Sequence, residues 1–159
     1  MPAELAPTAR RVEATLRSLG FHNEVVQLTQ TARTAEEAAA AISCSVGQIV
    51  KSLVFKITAS NESVLILASG ANRVDEQRLA DQLGAPVLRA NAAFVRERTG
   101  YAIGGVAPVG HLLPSRVFID RDLLQYTELW AAAGHPHAVF RLTPQELLQM
   151  TAGQVADIA

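Results

Sequence analysis

The chain has 159 residues, 49% of them apolar and 18% charged, with 14 basic against 15 acidic side chains. That length suits one domain whose core needs no metal or disulfide staple, and the composition excludes disorder. A net charge of −1, an aromatic content of 5% and a single cysteine, Cys44, exclude broad duplex-DNA binding, a ring platform for single strands, an internal disulfide and a CxxC zinc site.

Pro7 to Leu19 reads as an opening helix, because Val12, Leu16 and Leu19 recur at helical spacing and Gly20 follows where a left-handed cap is wanted. His22 to Leu28 carries a β-branched stretch at Val25 and Val26 and predicts a strand. Thr34 and Glu37 form a T-x-x-E capping box that opens an alanine-rich helix, Ala35 to Ile42. Ser45 and Gln48 repeat that logic over a short turn, Val46 to Val50. Lys51 to Thr58 gives the strongest β signal, and with Val64 to Ala68 across an Asn61-Glu62 turn it predicts an antiparallel hairpin. Asp75 to Leu83, closed by Gly84, and Ala92 to Arg98, capped by Asn91 and closed by Gly100, are helices. Val117 to Asp120, Thr127 to Ala131 and Ala138 to Leu142 predict strands. Thr143-Pro144-Gln145-Glu146 is a complete helix start, opening Pro144 to Thr151. No repeat, low-complexity tract or linker interrupts the chain. The expectation is one α+β domain over residues 1–159, with helices packed around a mixed, mostly antiparallel sheet.

Twelve of the 14 basic residues are arginine, so the two lysines, Lys51 and Lys56, stand out. On a strand Lys51 shares a face with Leu53, Phe55 and Ile57, while Lys56 shares the other with Ser52 and Val54. A lysine heading an apolar face either snorkels to solvent or sits partly desolvated in a pocket, where burial lowers its pKa and a nearby anion raises it. The second feature is Gly-Gly-x-x-Pro-x-Gly, residues 104 to 110. Its glycines either make a tight loop or let backbone amides approach a carboxylate, phosphate or oxyanion. It matches neither dinucleotide nor P-loop fingerprints. His135-Pro136-His137 has no acidic or cysteine partner at metal-ligand spacing, so no metal or other cofactor is expected. No G-x-S-x-G elbow is present, and Cys44 reads as a small core residue at a helix end.

Three segments, in order, resemble a known family: Val46-Gly47-Gln48-Ile49-Val50-Lys51-Ser52-Leu53-Val54-Phe55, then Thr99 to Gly110, then Gly134-His135-Pro136-His137 before Leu142-Thr143-Pro144-Gln145-Glu146-Leu147. Together they resemble the YbaK/ProX family of aminoacyl-tRNA deacylases, related to the editing domain of bacterial prolyl-tRNA synthetases, over residues 20 to 158. The resemblance implies that fold type and a trans-editing hydrolase that removes a wrong small amino acid from the 3′ end of a tRNA. It implies that Lys51 is the catalytic residue beside the ester and terminal phosphate. Gly104, Gly105, Pro108 and Gly110 would cradle the aminoacyl end, with Thr34, Ser52 and His135 near the amino-acid pocket. No protein nucleophile is then required, because a ribose hydroxyl, a substrate thiol or water can attack the ester. The expected substrate is alanine, cysteine, serine, threonine or a near relative on tRNA for proline or a neighbour. Ser52 stands where alanine-specific members have asparagine, and Ala131-Ala132-Ala133-Gly134-His135 departs from the Ser-Gly-Gly-Arg-Arg run of cysteine-specific members, so neither subgroup's specificity carries over. The alternative is a non-catalytic module that binds tRNA or a ligand for regulation. A grip on one CCA end touches few phosphates, which leaves room for a synthetase or elongation-factor partner. No apolar run reaches the roughly 20 residues that span a bilayer, and the N-terminus lacks a secretion-signal layout. A cytoplasmic protein with no membrane or DNA contact is the expectation.

Overall fold

A computed structural model of the chain describes residues 5–29 and 34–159. Helix α1 (Pro7–Ser18) starts at a proline in its first turn and buries Ala9, Val12 and Leu16. Strand β1 (Val25–Gln27) is shorter than the predicted His22 to Leu28. Helix α2 (Ala35–Ile42) is capped by Thr34, whose side chain accepts the Glu37 N–H. Only half of the predicted box forms, since the Glu37 carboxylate accepts the Thr34 hydroxyl rather than the Thr34 amide. A 3-10 turn at Val46–Gln48 runs straight into β2 (Ile49–Ile57), which hairpins into β3 (Ser63–Ser69). Helix α3 (Glu76–Leu83) and helix α4 (Ala92–Thr99) end at Gly84 and Gly100 with φ of +70° and +81°, the left-handed caps that glycine adopts without Cβ strain.

Between those helices lies β4 (Val87–Arg89), which sequence patterning does not predict. Strand β5 (Arg116–Asp120) leads through a 3-10 turn, Arg121–Gln125, to β6 (Leu129–Ala132) and β7 (Ala138–Leu142). Helix α5 (Pro144–Thr151) has the full Thr143–Glu146 capping box, and a last unpredicted strand, β8 (Gln154–Ala156), follows. Three-residue strands are too short to show alternation; β4 and β8 exist because a neighbouring edge pairs with them.

The eight strands form one sheet in the order β1-β7-β6-β2-β3-β5-β8, with β4 also paired to β2. The β1–β7, β6–β7, β2–β3 and β2–β4 pairs are antiparallel, and the β2–β6, β3–β5 and β5–β8 pairs are parallel. The sheet is therefore mixed and mostly antiparallel, as expected. Strand β3 is central and buried along its whole length. On one face Val50, Val54, Leu65, Leu67 and Phe140 pack against Val12 and Leu16 of α1, Val95 of α4 and Leu147 of α5. On the other, Phe55, Val64, Ile66 and Phe118 pack against Leu79 of α3 and Ile158.

Strand β2 is what positions the site. Its β3 edge is satisfied throughout, from Gly70 N–H to the Ile49 carbonyl at 2.7 Å up to Ile57 N–H to the Glu62 carbonyl at 2.9 Å. Its other edge has two separate partners. Strand β6 pairs with Ile49 and Val50, and β4 pairs with Phe55 to Ile57. The sheet opens between them, and the residues of that opening are Lys51 to Val54.

Candidate functional site

A cavity of about 360 Å³ occupies this opening. Strand β2 contributes Lys51, Ser52 and Val54, while β6 contributes Trp130, Ala131 and Ala132. Thr34, Ala35 and Glu36 at the start of α2 line another side, and Arg89 and Ala90 bring in β4. Ile103, Gly104 and Val106 close it from the glycine-rich loop, with Pro136, Ala138 and Val139 from the β6–β7 turn and β7. Most of the wall is alanine, valine and isoleucine, and the polar groups gather at Lys51, Ser52, Glu36 and Arg89.

Lys51 is half-buried at the head of the apolar face predicted for it. Its Nζ donates to the Asn72 carbonyl, which leaves two of the ammonium's three donors for a ligand. Burial pushes its pKa down; Glu36 pulls it back up, Arg89 pushes it down, Asp120 pulls it up and Arg73 pushes it down. Desolvation leads these effects, so the lysine is weakly hydrated and responsive to an incoming anion.

Asn72 is fixed from behind. Its side-chain amide donates to Asp120 Oδ2 at 2.9 Å and to Asp122 Oδ2 at 2.7 Å. Asp120 is only 2% exposed and also accepts the Ser69 N–H at 3.0 Å and the Asp122 N–H at 3.0 Å. The Ser69 hydroxyl donates to the Gly47 carbonyl at 2.8 Å, tying the end of β3 to the turn before β2. Gly70 is required at this junction, because a Cβ there would lie 2.4 Å from the Val46 carbonyl oxygen and 2.9 Å from Ala35 Cβ. Sequence reasoning did not single out Asn72, Asp120, Gly70, Glu36, Arg89 or Trp130. In sequence Asp120 is only the end of a predicted strand, and it is the sheet that brings it beneath Asn72.

Of the residues singled out from sequence, Thr34, Lys51, Ser52 and Gly104 line one cavity. Gly105, Pro108, Gly110 and His135 do not. Gly104 has φ of +93° and open space where a side chain would stand, whereas a Cβ on Gly105 would meet the His135 backbone at 3.0 Å. The Gly105 amide donates to the Ala102 carbonyl at 3.0 Å. Pro108 is buried in the loop, and Gly110 faces Tyr101, whose hydroxyl donates to the Val109 carbonyl at 2.8 Å. His111 donates through Nε2 to the Ala107 carbonyl at 2.6 Å, and burial lowers its pKa. Tyr101 and His111 thus hold the loop's carbonyls on the core side. His135 accepts the His137 N–H on Nδ1 at 3.1 Å, and Pro136 between them reaches the cavity wall. Among the described residues no three His, Cys, Asp or Glu side chains group as a metal site. Cys44 is half-buried, and burial followed by the Glu128 charge raises its pKa, which suits an inert thiol. Among the described residues no helix is long and apolar enough to cross a membrane.

The family model for the aminoacyl-tRNA editing domain matches residues 29–150. The chain is 30% identical over 133 residues to the YwhH protein of Bacillus subtilis (strain 168), covering 84% of each. It is 28% identical over 128 residues to EbsC of Enterococcus faecalis (strain ATCC 700802 / V583), a proposed Cys-tRNA(Pro)/Cys-tRNA(Cys) deacylase, covering 79% of this chain and 76% of EbsC. Among solved structures it superposes on a proposed trans-editing enzyme for prolyl tRNA synthetase with a TM-score of 0.93 and 50% identity, covering 98% of both chains.

Proposed function

The chain belongs to the aminoacyl-tRNA editing domain family, and from that premise we propose that it deacylates, in trans, a tRNA carrying a wrong small amino acid. The observation that carries this reading is the convergence of Lys51, Ser52, Thr34 and Gly104 on one small, mainly aliphatic cavity. Its size and its alanine-rich β6 wall suit alanine, cysteine, serine or threonine. The names of EbsC and of the similar crystal structure support a tRNA for proline or a neighbour.

In the proposed reaction water attacks the ester carbonyl carbon, the bond to the ribose oxygen breaks, and that oxygen takes up a proton. In a cysteinyl substrate the side-chain thiol can attack instead, breaking the same bond and leaving as a thiolactone while the ribose oxygen takes up the thiol proton. The neighbouring ribose hydroxyl can orient the water, since its own attack would only move the acyl group along the ribose. Lys51 places its two free donors against the negative charge that develops on the carbonyl oxygen or is already present on the terminal phosphate. An activated ester leaves positioning and electrostatics to supply most of the acceleration. The α2 start and the Gly104 turn would flank the aminoacyl end. A synthetase or elongation factor would supply the tRNA contacts that so small a site cannot.

The test is deacylation of alanyl-, cysteinyl-, seryl- and threonyl-tRNA by wild type and Lys51→Ala in parallel. Turnover of one small species, lowered by about 100-fold or more in the variant, is expected for loss of a charge-stabilising donor. No turnover across the panel would refute the deacylase and leave a tRNA- or ligand-binding module.

A further inference from the structure

The opening in the sheet has a specific width. In the β2–β3 pair the hydrogen-bonded residues are the odd-numbered ones, as the Gly70–Ile49 and Glu62–Ile57 bonds at its two ends establish. The backbone groups of the even-numbered residues therefore point to the opposite edge. There Val50 is paired with β6, where the register ends at Ala131. At the other end the Val54 carbonyl accepts the Ala90 N–H at 3.0 Å, the first bond to the β4 segment. Ser52 lies between them. Its N–H and C=O both face the cavity, and neither has a protein partner among the described residues; the same holds for the Val54 N–H. The Ser52 hydroxyl is also buried without a partner among the described residues. Among the described residues a central strand thus presents one residue's worth of unfilled ladder to the cavity.

Backbone donors and acceptors shielded from water need partners, and a strand edge recognises another backbone by its spacing alone. We infer that the Ser52 edge of β2 binds the α-amino acid backbone of the substrate as a one-residue strand, its carbonyl accepting the Ser52 N–H and its α-ammonium donating to the Ser52 C=O. The inference rests on the deacylase reading and deepens it, because it assigns the common part of the substrate to β2. Glu36, lining the same cavity, supplies negative charge toward the ammonium. With the backbone held in the sheet plane, the amino acid's side chain projects out of that plane toward the cavity walls. Affinity for the class of α-aminoacyl esters then comes from the edge, and choice among side chains from the walls. Esters without a free α-ammonium group are poor ligands.

Two measurements test this. The first compares seryl- and alanyl-tRNA with their N-acetyl counterparts as substrates for the wild-type protein. Loss of a buried charged donor from a site built to accept it predicts a fall of about 10- to 100-fold for the acetylated forms. Rates within about twofold would overturn the inference while leaving the deacylase intact. The second uses a nonhydrolysable probe, 3′-alanylamino-3′-deoxyadenosine, titrated into ¹⁵N-labelled wild-type protein. Its ester oxygen is replaced by N–H, so no chemistry is needed for the readout. Downfield movement of the Ser52 amide proton is expected, exceeding that at the paired amides of Leu53 and Phe55. Binding that leaves the Ser52 amide unmoved, or no binding at millimolar probe, would overturn the edge. Failure of every tRNA to turn over, with the Ser52 amide still moving, would refute the deacylase and keep the edge.

Discussion

Asp120 offers the sharpest test of how the site is held. Replacing it with asparagine keeps its shape but exchanges one acceptor oxygen for an NH₂ donor. The carboxylate now accepts three hydrogen bonds: Ser69 N–H and Asn72 Nδ2–H on one oxygen, Asp122 N–H on the other. The better of the two amide orientations keeps the first two and sets a donor against the Asp122 N–H. At 2% exposure water cannot repair that clash, so the cost is about 1–3 kcal/mol. For a chain of this length, that corresponds to a drop in Tm of about 2–12 °C. Asp120 also draws the Lys51 pKa upward, against the stronger effect of burial. Without its charge, Lys51 loses its proton at lower pH, and the alkaline limb of deacylation, corrected for spontaneous hydrolysis, should move to lower pH. Urea unfolding and a pH–rate profile measure the two effects separately. Asp122→Asn is the control, since Asp122 is exposed although it bonds the same amide; it should cost no more than about 0.5 kcal/mol. An Asp120→Asn protein as stable as that control, or one with an unmoved alkaline limb, would show that the carboxylate does not act through Asn72 and Lys51.

Further perturbations follow from the same geometry. Burial holds the folded-state pKa of Lys51 below its ordinary value, so just beneath that value the unfolded chain binds more protons and stability rises with pH. Lys51→Met should flatten this rise and be at least as stable as wild type at neutral pH in urea titrations, while deacylation collapses. Gly70→Ala drives a methyl against the Val46 carbonyl and Ala35; a loss of about 1–3 kcal/mol by thermal unfolding is expected, together with lower activity, because α2 and the turn before Lys51 must part. Gly105→Ala presses on the His135 backbone rather than on a ligand, so circular-dichroism melts should fall by more than ligand affinity does. Tyr101→Phe strands the Val109 carbonyl in the core and should cost about 1–2 kcal/mol in urea while leaving the pH profile of activity in place.

Local chemistry made much of the fold legible. The Thr143 box with Pro144, the Asn91 cap with Gly100 and the Asp75–Gly84 pair fix their helices because the signals lie within a few residues of the bonds they make. The β2–β3 hairpin was likewise visible from its apolar runs and polar turn. Lys51 could be found from its rarity and its place on a strand face. Hidden were features that depend on distant pairing. Val87–Arg89 becomes a strand only against Phe55 to Ile57, and Gln154–Ala156 only against β5. Asn72 meets Lys51 through its backbone carbonyl, to which side-chain identity gives no clue. The glycine loop was legible as a loop, but glycine serves two ends there. Gly104 faces the cavity, whereas Gly105 makes room for the neighbouring turn, and sequence alone does not separate them.

The split edge of β2 also has a consequence for the order in which the molecule is built. The β2–β3 hairpin closes over a short loop, so the strand carrying Lys51 can form early at little entropic cost. The cavity needs Ile49 and Val50 to find Trp130 and Ala131, a far longer closure in sequence. Its walls are therefore expected to be completed by late contacts, which low φ-values for substitutions at Trp130 and Ala131 would check. A ligand seated between β4 and β6 would stabilise those contacts, slowing unfolding while leaving the folding rate nearly unchanged. The cavity is then also the part of the fold whose lifetime a bound ligand would extend.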